Sequence, residues 1–131
     1  MSSLPVPTEF EEGKVLVAYL RLRRIRFTHI PNETGHSPEA KRRAIRMKQQ
    51  GTSKGFPDYV ILLPNTLLAI ELKRQRNSST TPEQREWVAA FNLIDNCHGT
   101  VAKGAKDAIE FIEHHETKTA LPEKALDTQP F

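Results

Sequence analysis

The alternation of hydrophobic and polar positions along the chain predicts eight secondary-structure elements, in the order α, β, α, β, β, α, β, α. Residues 8–24 begin with Thr8 as a helix N-cap, carry acidic side chains in the first turn and end in arginines, which favours a helix at both of its ends. Residues 25–30 are rich in β-branched and aromatic side chains and predict a short strand. Residues 37–51 begin with Ser37 as a cap and predict a short basic helix with a thin apolar stripe.

The most continuously apolar stretch of the chain, GFPDYVILLPNTLLAIELKRQR, predicts a β-hairpin. Its two strands, residues 58–63 and 67–73, are apolar on both faces, as expected of central strands that helices cover on each side. The preceding segment, GTSKGFP at 51–57, combines two glycines, a lysine and a proline. That composition predicts a flexible loop that could close on a ligand.

The second half of the chain predicts a helix, a strand and a final helix. Thr81 as N-cap and Gln84 three residues later form a capping-box pattern, and the predicted helix runs as far as Gly99. Residues 100–104 then predict a strand and residues 105–116 a helix. The buried stripe of the first of these helices is predicted to consist of Trp87, Val88, Phe91 and Ile94.

Length and composition are those of one soluble domain. The chain has 131 residues, enough for a single core, and we expect the domain to span residues 1–116, followed by a loosely ordered tail at 117–131. No apolar run approaches the roughly 20 residues that cross a bilayer. The N-terminal residues lack the pattern of an export signal, and the single cysteine, Cys97, excludes a disulfide framework and a multi-cysteine zinc site. We therefore expect a cytoplasmic protein.

Positive charge is concentrated in one region. The formal net charge is +3, yet residues 21–54 contain ten Lys and Arg residues against Glu33 and Glu39. Such a patch suits a polyanion, because neutralised phosphates release condensed counterions. A solvated helix face is an equally good interpretation of the pattern alone. The candidate nucleic-acid-binding residues of this region are Arg42, Arg43, Arg46, Lys48 and Lys54.

Three charged residues interrupt the apolar hairpin at its open end. Glu71 and Lys73 are two positions apart on a strand, so they project to the same face. Asp58 joins them if the numbers of paired residues sum to an odd constant; a two- or four-residue loop predicts a sum of 131, which places Asp58 opposite Lys73. A three-residue loop would turn Asp58 away unless a bulge restored it. The alternative interpretation is that the three charged residues merely end the hairpin in solvent.

Two neighbouring carboxylates favour a bound cation. At about 4 Å they repel each other by roughly 4 kcal/mol at an effective dielectric near 20. Mg²⁺ prefers hard oxygen ligands and commonly bridges one or two carboxylates to a phosphate. Such an ion acidifies a bound water, while Lys73 could orient that water or contact a phosphoryl oxygen. The constellation indicates metal-assisted phosphodiester hydrolysis.

The motif order resembles a known nuclease superfamily. PD at 57–58, ELK at 71–73 and the following TTPEQREW resemble the PD-(D/E)xK nucleases, and more narrowly their virus-type replication-repair nuclease (VRR-NUC) branch. HIPNE and GTVAKGAKDAIEFI extend the resemblance, which covers about residues 8–113. It implies an α/β fold of the restriction-endonuclease-like PD-(D/E)xK type, with a central mixed β-sheet flanked by helices.

The resemblance also implies roles for residues of the hairpin and of the helix after it. Asp58 and Glu71 would be metal ligands, with the Leu72 backbone carbonyl as a further ligand, and Lys73 would be the catalytic lysine. Gln84 resembles the family's active-site glutamine in Q-x-x-W; its alternative role is only to close the capping box.

The first helix is expected to contribute an active-site acid. Glu9, Glu11 and Glu12 are all available; Glu9 fits the inward face best, and Glu12 is the reserve. Many relatives have a glutamine four residues after this acid, where the present chain has Gly13.

The function implied by the resemblance is that of a metal-dependent DNA endonuclease. Mg²⁺ is the expected cofactor, with Mn²⁺ as an alternative, and stand-alone phage-type relatives act as homodimers on branched DNA such as four-way (Holliday) junctions. The competing hypothesis is a non-catalytic nucleic-acid-binding module that uses the basic 21–54 region. A sequence-specific restriction-type nuclease is a weaker candidate, because no base-reading element is visible.

Overall fold

A computed structural model describes residues 5–31 and 35–118, with the side chains of 117 and 118 excepted. Its elements have the predicted order: α1 (Glu9–Leu22), β1 (Arg26–His29), α2 (Pro38–Gln49), β2 (Tyr59–Leu63), β3 (Thr66–Lys73), α3 (Pro82–Phe91), β4 (Cys97–Lys103) and α4 (Ala105–Lys118). In this described part of the chain, no helix has the length and apolar character needed to span a membrane.

The four strands form one mixed sheet in the order β1-β2-β3-β4. The first three strands are antiparallel neighbours, whereas β4 runs parallel to β3 because α3 forms the crossover between them. The core on one face of the sheet joins α1 and α4 to alternate residues of β2 and β3. The other face receives α3. The predicted α/β class, a mixed sheet flanked by helices, is confirmed.

The hairpin between β2 and β3 closes through a two-residue turn. Pro64 contributes a restricted negative φ, and Asn65 has a φ of 58°, a region that asparagine tolerates better than most residues. Leu63 pairs with Thr66, so paired residue numbers sum to 129 and the predicted constant of 131 is wrong. Thr66 belongs to the strand rather than to the turn. The odd parity is retained, and extending the register places Asp58 opposite Glu71.

Helix α3 is shorter than its sequence pattern predicts. It ends at Phe91 with Asn92 as its C-cap, and Gly99 lies within β4 rather than terminating the helix. The Asn92 side chain bonds both backbone groups of Gly99, at 3.0 and 2.9 Å. A Cβ at Gly99 would lie 3.1 Å from the Val88 carbonyl oxygen, so this glycine permits close packing of α3 on the sheet. Ile94, predicted to be buried, is 57% exposed.

Two further expectations concern the periphery. Helix α2 has its predicted Ser37 cap, and none of its residues, all of which the structure describes, is buried. Its thin apolar stripe thus finds no core to pack on. The predicted tail begins inside α4, which continues to Lys118, and residues 119–131 lie outside the described part.

Candidate active site

The open end of the β2–β3 hairpin brings together the charged residues of the PD and ELK motifs. Glu71 is only 3% exposed, and its Oε2 forms an ion pair with Lys73 Nζ at 3.3 Å. Asp58 Oδ2 accepts a hydrogen bond from the Leu72 backbone N–H at 2.9 Å. Since the N–H and C=O of one strand residue point to the same side, the Leu72 carbonyl also faces the β2 side of the strand. Carboxylate and carbonyl oxygens therefore converge here.

Gln84 closes the predicted capping box and also contacts Glu71. Its Oε1 accepts from the Thr81 backbone N–H at 3.0 Å, and the Thr81 hydroxyl accepts in turn from Gln84 N–H, which completes the capping box. Its Nε2 donates to Glu71 Oε2 at 3.1 Å. The first bond orients the amide so that its donor end faces the carboxylate. The same side chain thus caps α3 and holds the Glu71 carboxylate.

The electrostatics of Glu71 are those of a carboxylate held out of water. Burial, followed by the neighbouring Asp58 carboxylate, raises the pKa of Glu71 from 4.5 to about 7, although Lys73 acts in the opposite direction. Glu71 Oε1 is buried and has no hydrogen-bond partner among the described residues. A buried carboxylate oxygen without a donor is costly. A cation at this position would satisfy it.

The donor set fits a hard divalent cation with few protein ligands. Asp58, Glu71 and the Leu72 carbonyl offer only oxygen, which Mg²⁺ and Mn²⁺ accept. Within the described ranges, no group of three or more His, Cys, Asp or Glu side chains is arranged to hold a metal. Mg²⁺ does not require such a cluster, because it usually retains several waters and binds through one or two carboxylates.

Glu9 of α1 lies near Asp58, but its side chain is exposed and Glu12 is the buried acid of the helix, so the prediction that Glu9 fits the inward face best is wrong. Glu9 lines an open cavity of about 550 Å³ together with His29, Asp58, Tyr59 and Leu72. Burial and the charge of Asp58 raise the pKa of Glu9, while Lys73 and His29 oppose the shift. The structure therefore places the preferred helix-1 acid within electrostatic reach of Asp58 and Lys73.

The other two acids of α1 have structural contacts instead. Glu11 completes the capping box with Thr8, through bonds of 2.8 and 3.1 Å. Glu12 is 5% exposed and accepts from the Ala105 backbone N–H at 2.9 Å and from Gln75 Nε2 at 2.8 Å. A carboxylate at this position neutralises the N-terminus of α4. Glu12, the reserve candidate, thus stabilises the junction of α1, α4 and the chain after β3.

Tyr59 is a site residue that sequence reasoning missed, because its position in β2 predicts only core packing. A Cβ at Gly13 would lie 2.8 Å from the Tyr59 hydroxyl oxygen. The hydroxyl therefore occupies the space that the side chain of any other residue at position 13 would fill. Burial, with the charges of Asp58 and Glu9, raises the pKa of the Tyr59 phenol. The available signal was Gly13, a glycine on the predicted inward face of the first helix.

The basic candidates are exposed residues of α2 and of the glycine-rich loop. Arg42, Arg43, Arg46 and Lys48 are exposed on α2. Lys54 is exposed in the glycine-rich loop, and its backbone carbonyl accepts the Trp87 indole N–H at 3.2 Å. Trp87 is accordingly half-buried rather than a full core residue.

The glycine-rich loop packs against the start of α3. A Cβ at Gly55 would lie 2.8 Å from the Gln84 backbone nitrogen, and the φ of Gly55 is 88°. Phe56 packs edge-on against Trp87, with ring centroids 4.9 Å apart. The segment predicted to be a flexible loop thus forms specific contacts beside Gln84.

Comparison with known proteins establishes the fold. No family model matches the chain, and no curated protein matches it. A solved structure described as a "VRR_NUC domain protein" superimposes with a TM-score of 0.72 at 23% sequence identity, covering 90% of this chain and 95% of that one. The chain therefore shares its α/β fold with a protein of that description over nearly its whole length.

Proposed function

We propose that this protein is a metal-dependent DNA endonuclease that hydrolyses phosphodiester bonds. The observation that carries the proposal is the buried Glu71 carboxylate, with one oxygen paired to Lys73 and Gln84 and the other without a described partner, on the strand neighbouring Asp58. The likeness in fold to a protein named for the VRR_NUC domain supports the nuclease part of the proposal.

Each site residue has a distinct part in the proposed reaction. Asp58, Glu71 and the Leu72 carbonyl would hold Mg²⁺, with Mn²⁺ as an alternative. When bound, such an ion supplies an acidified water and neutralises charge that develops on the phosphate. Lys73 donates hydrogen bonds from its ammonium group to the attacking water or to a phosphoryl oxygen. Gln84 holds Glu71 in place through its Nε2 donor, and Glu9 adds a carboxylate at the opposite wall.

The proposed substrate is branched DNA, such as a four-way junction, cut by a homodimer. Two active sites related by a twofold axis suit paired incisions in a twofold-symmetric substrate. The exposed basic residues of α2 and Lys54 are proposed to bind the phosphate backbone, where Lys and Arg contribute affinity rather than sequence selectivity.

A cleavage panel tests this function directly. Labelled linear, nicked, flap and four-way substrates are incubated with the full chain in Mg²⁺ and in Mn²⁺. We expect metal-dependent cutting of branched substrates that is lost in Lys73→Ala and Asp58→Asn, but retained in the matched surface variants Lys106→Ala and Asp95→Asn. Cutting by Lys73→Ala at the wild-type rate would overturn the mechanism.

The same panel separates the rival functions. A non-catalytic binding module, favoured by the basic helix α2 with no buried residue, predicts DNA binding with a steep salt dependence and no cleavage in either metal. A restriction-type nuclease predicts cutting of linear duplex at one defined sequence.

A further inference from the structure

The cavity at the active site continues away from it along α1 as a groove. Its α1 wall consists of residues at helical spacing on one face of that helix, namely Glu9, Phe10, Gly13, Lys14, Val17, Ala18 and Arg21. Its opposite wall is formed by His29, Asp58, Tyr59 and Leu72. From Phe10 to Arg21 the helix rises about 16 Å at 1.5 Å per residue. The groove is thus long enough for several nucleotides, and one end of it contains Asp58.

The chemistry of the walls is that of a single-strand binding site. Phe10 is 74% exposed, which is unusual for so large an apolar side chain. Lys14 Nζ lies 5.2 Å from the centroid of the Phe10 ring. Across the groove, the exposed His29 ring packs against Tyr59 with centroids 4.9 Å apart. Exposed rings stack on unpaired bases, and neighbouring Lys and Arg side chains bind the phosphates that connect them. Lys14 and Arg21 supply those charges.

We infer that this groove, which we call the α1 groove, binds a short single-stranded DNA segment whose bases stack on Phe10 and whose phosphates contact Lys14 and Arg21. The inference rests on the proposed nuclease function and deepens it. An unpaired strand held in the α1 groove would reach Asp58 at the end of the groove. The phosphate that is cut would then lie at the junction between this unpaired segment and the adjoining duplex. A fully paired duplex buries the base faces that Phe10 would contact. The groove therefore favours substrates that contain an unpaired segment.

Binding in the absence of metal tests the groove separately from catalysis. A fluorescein-labelled oligothymidine of about ten nucleotides, within the ~4–16 nucleotide range of known single-strand sites, is titrated with the full chain in EDTA and followed by anisotropy. We expect Phe10→Ala to weaken binding about tenfold, in line with the loss of one stacked base. Leu93→Ala is the matched control, because Leu93 is 86% exposed and lies outside the groove.

Salt dependence distinguishes the stacking contact from the phosphate contact. Lys14→Ala should reduce the slope of log K against log salt by about 0.7, the value for one single-strand phosphate, whereas Phe10→Ala should leave the slope unchanged. Lys106→Ala, on the exposed surface of α4, controls for the loss of one positive charge. Thermal unfolding of each variant verifies that these surface substitutions preserve the fold.

Three results of these experiments would separate the groove from the nuclease function and from dimer formation. Equal oligothymidine affinity in Phe10→Ala, Lys14→Ala and their controls overturns the groove assignment even if the protein cleaves branched DNA. Groove-dependent oligothymidine binding by a protein that cleaves no substrate refutes the nuclease function and leaves the groove. Sedimentation that shows Phe10→Ala turning a dimer into a monomer, with oligothymidine affinity unchanged, overturns the inference and assigns the groove to a second copy of this chain.

Discussion

Gln84 donates from its side-chain Nε2 to Glu71 Oε2 across 3.1 Å, while its Oε1 accepts from the Thr81 backbone at the start of α3. The orientation of the buried carboxylate therefore depends on the N-terminus of a helix on the other side of a polar loop. Because two atoms of one amide serve two purposes, substitutions can separate them.

Gln84→Glu should reduce cleavage while preserving the fold. Glutamate retains an oxygen for the Thr81 N–H but loses the donor to Glu71 and places a second negative charge beside it. We expect about a 10- to 100-fold loss of activity, as for other residues that orient metal ligands.

Thr81→Ala should show the reverse: a loss of roughly 1 kcal/mol of helix-cap stability with cleavage unchanged. Denaturant unfolding and initial cleavage rates measure the two effects, and equal activity of Gln84→Glu and wild type would contradict the assigned role.

The metal-free protein should lose stability as pH rises through about 7. Burial and Asp58 raise the pKa of Glu71 from 4.5 to about 7, so the folded state binds this proton more tightly than the unfolded state. The corresponding stability is fully present below about pH 4.5 and is lost as pH rises through the folded pKa. Its size is at most on the order of 3 kcal/mol, from 1.36 kcal/mol per pKa unit, because Glu71 titrates together with its charged neighbours.

Glu71→Gln isolates this titration because glutamine does not ionise. In EDTA, we expect the variant to gain stability relative to wild type between pH 5 and pH 8, as measured by urea unfolding. Glu86→Gln, which removes an exposed acid of α3, should show no comparable trend. A stability difference that is constant over this pH range would show that Glu71 does not titrate as described.

Divalent cations should stabilise the wild-type protein against heat. An ion that binds only the folded state raises the melting temperature with its concentration. We expect Mg²⁺ and Mn²⁺ to do so for wild type and for Asp95→Asn, but much less for Asp58→Asn, which removes a proposed ligand. Differential scanning fluorimetry provides the measurement. An equal shift in Asp58→Asn would place the bound ion elsewhere.

Glu9 and Glu12 should separate into an active-site acid and a structural acid. Glu12→Ala leaves the buried Ala105 N–H without its acceptor and removes the contact with Gln75, so we expect a stability loss of about 1–3 kcal/mol. Glu9→Gln should leave stability nearly unchanged and reduce cleavage. Paired unfolding curves and cleavage rates test the division. Full activity of Glu9→Gln would remove Glu9 from the site.

Gly13→Ala should destabilise the protein although alanine favours helices. The added methyl group would lie 2.8 Å from the Tyr59 hydroxyl oxygen, and overpacking of this kind costs about 1–3 kcal/mol. Tyr59→Phe removes the clashing atom, so Gly13→Ala in that background should recover most of the loss. A double-mutant cycle by denaturant unfolding gives the coupling. Additive effects would mean that the two residues do not share this space.

Local sequence signals predicted the element order well. The caps at Thr8, Ser37 and Thr81 are all present, because each cap depends on bonds within three residues. The prediction that Gly99 ends the third helix was wrong, although glycine is a common helix terminator. The actual partners of Gly99, Asn92 and the Val88 backbone, come from the packing of α3 on β4.

The sequence by itself determined which chemical groups are available and on which elements they lie. These groups are two carboxylates and a lysine at one end of an apolar hairpin, a glutamine in the capping box of α3, and three acids in the first turn of α1. These follow from side-chain periodicity and capping, which act over a few residues. Only the tertiary structure decided that the turn pairs Leu63 with Thr66, that Glu9 rather than Glu12 faces Asp58, and that Gly13 makes room for Tyr59. Those outcomes depend on contacts between segments far apart in the chain, where burial and packing decide the arrangement.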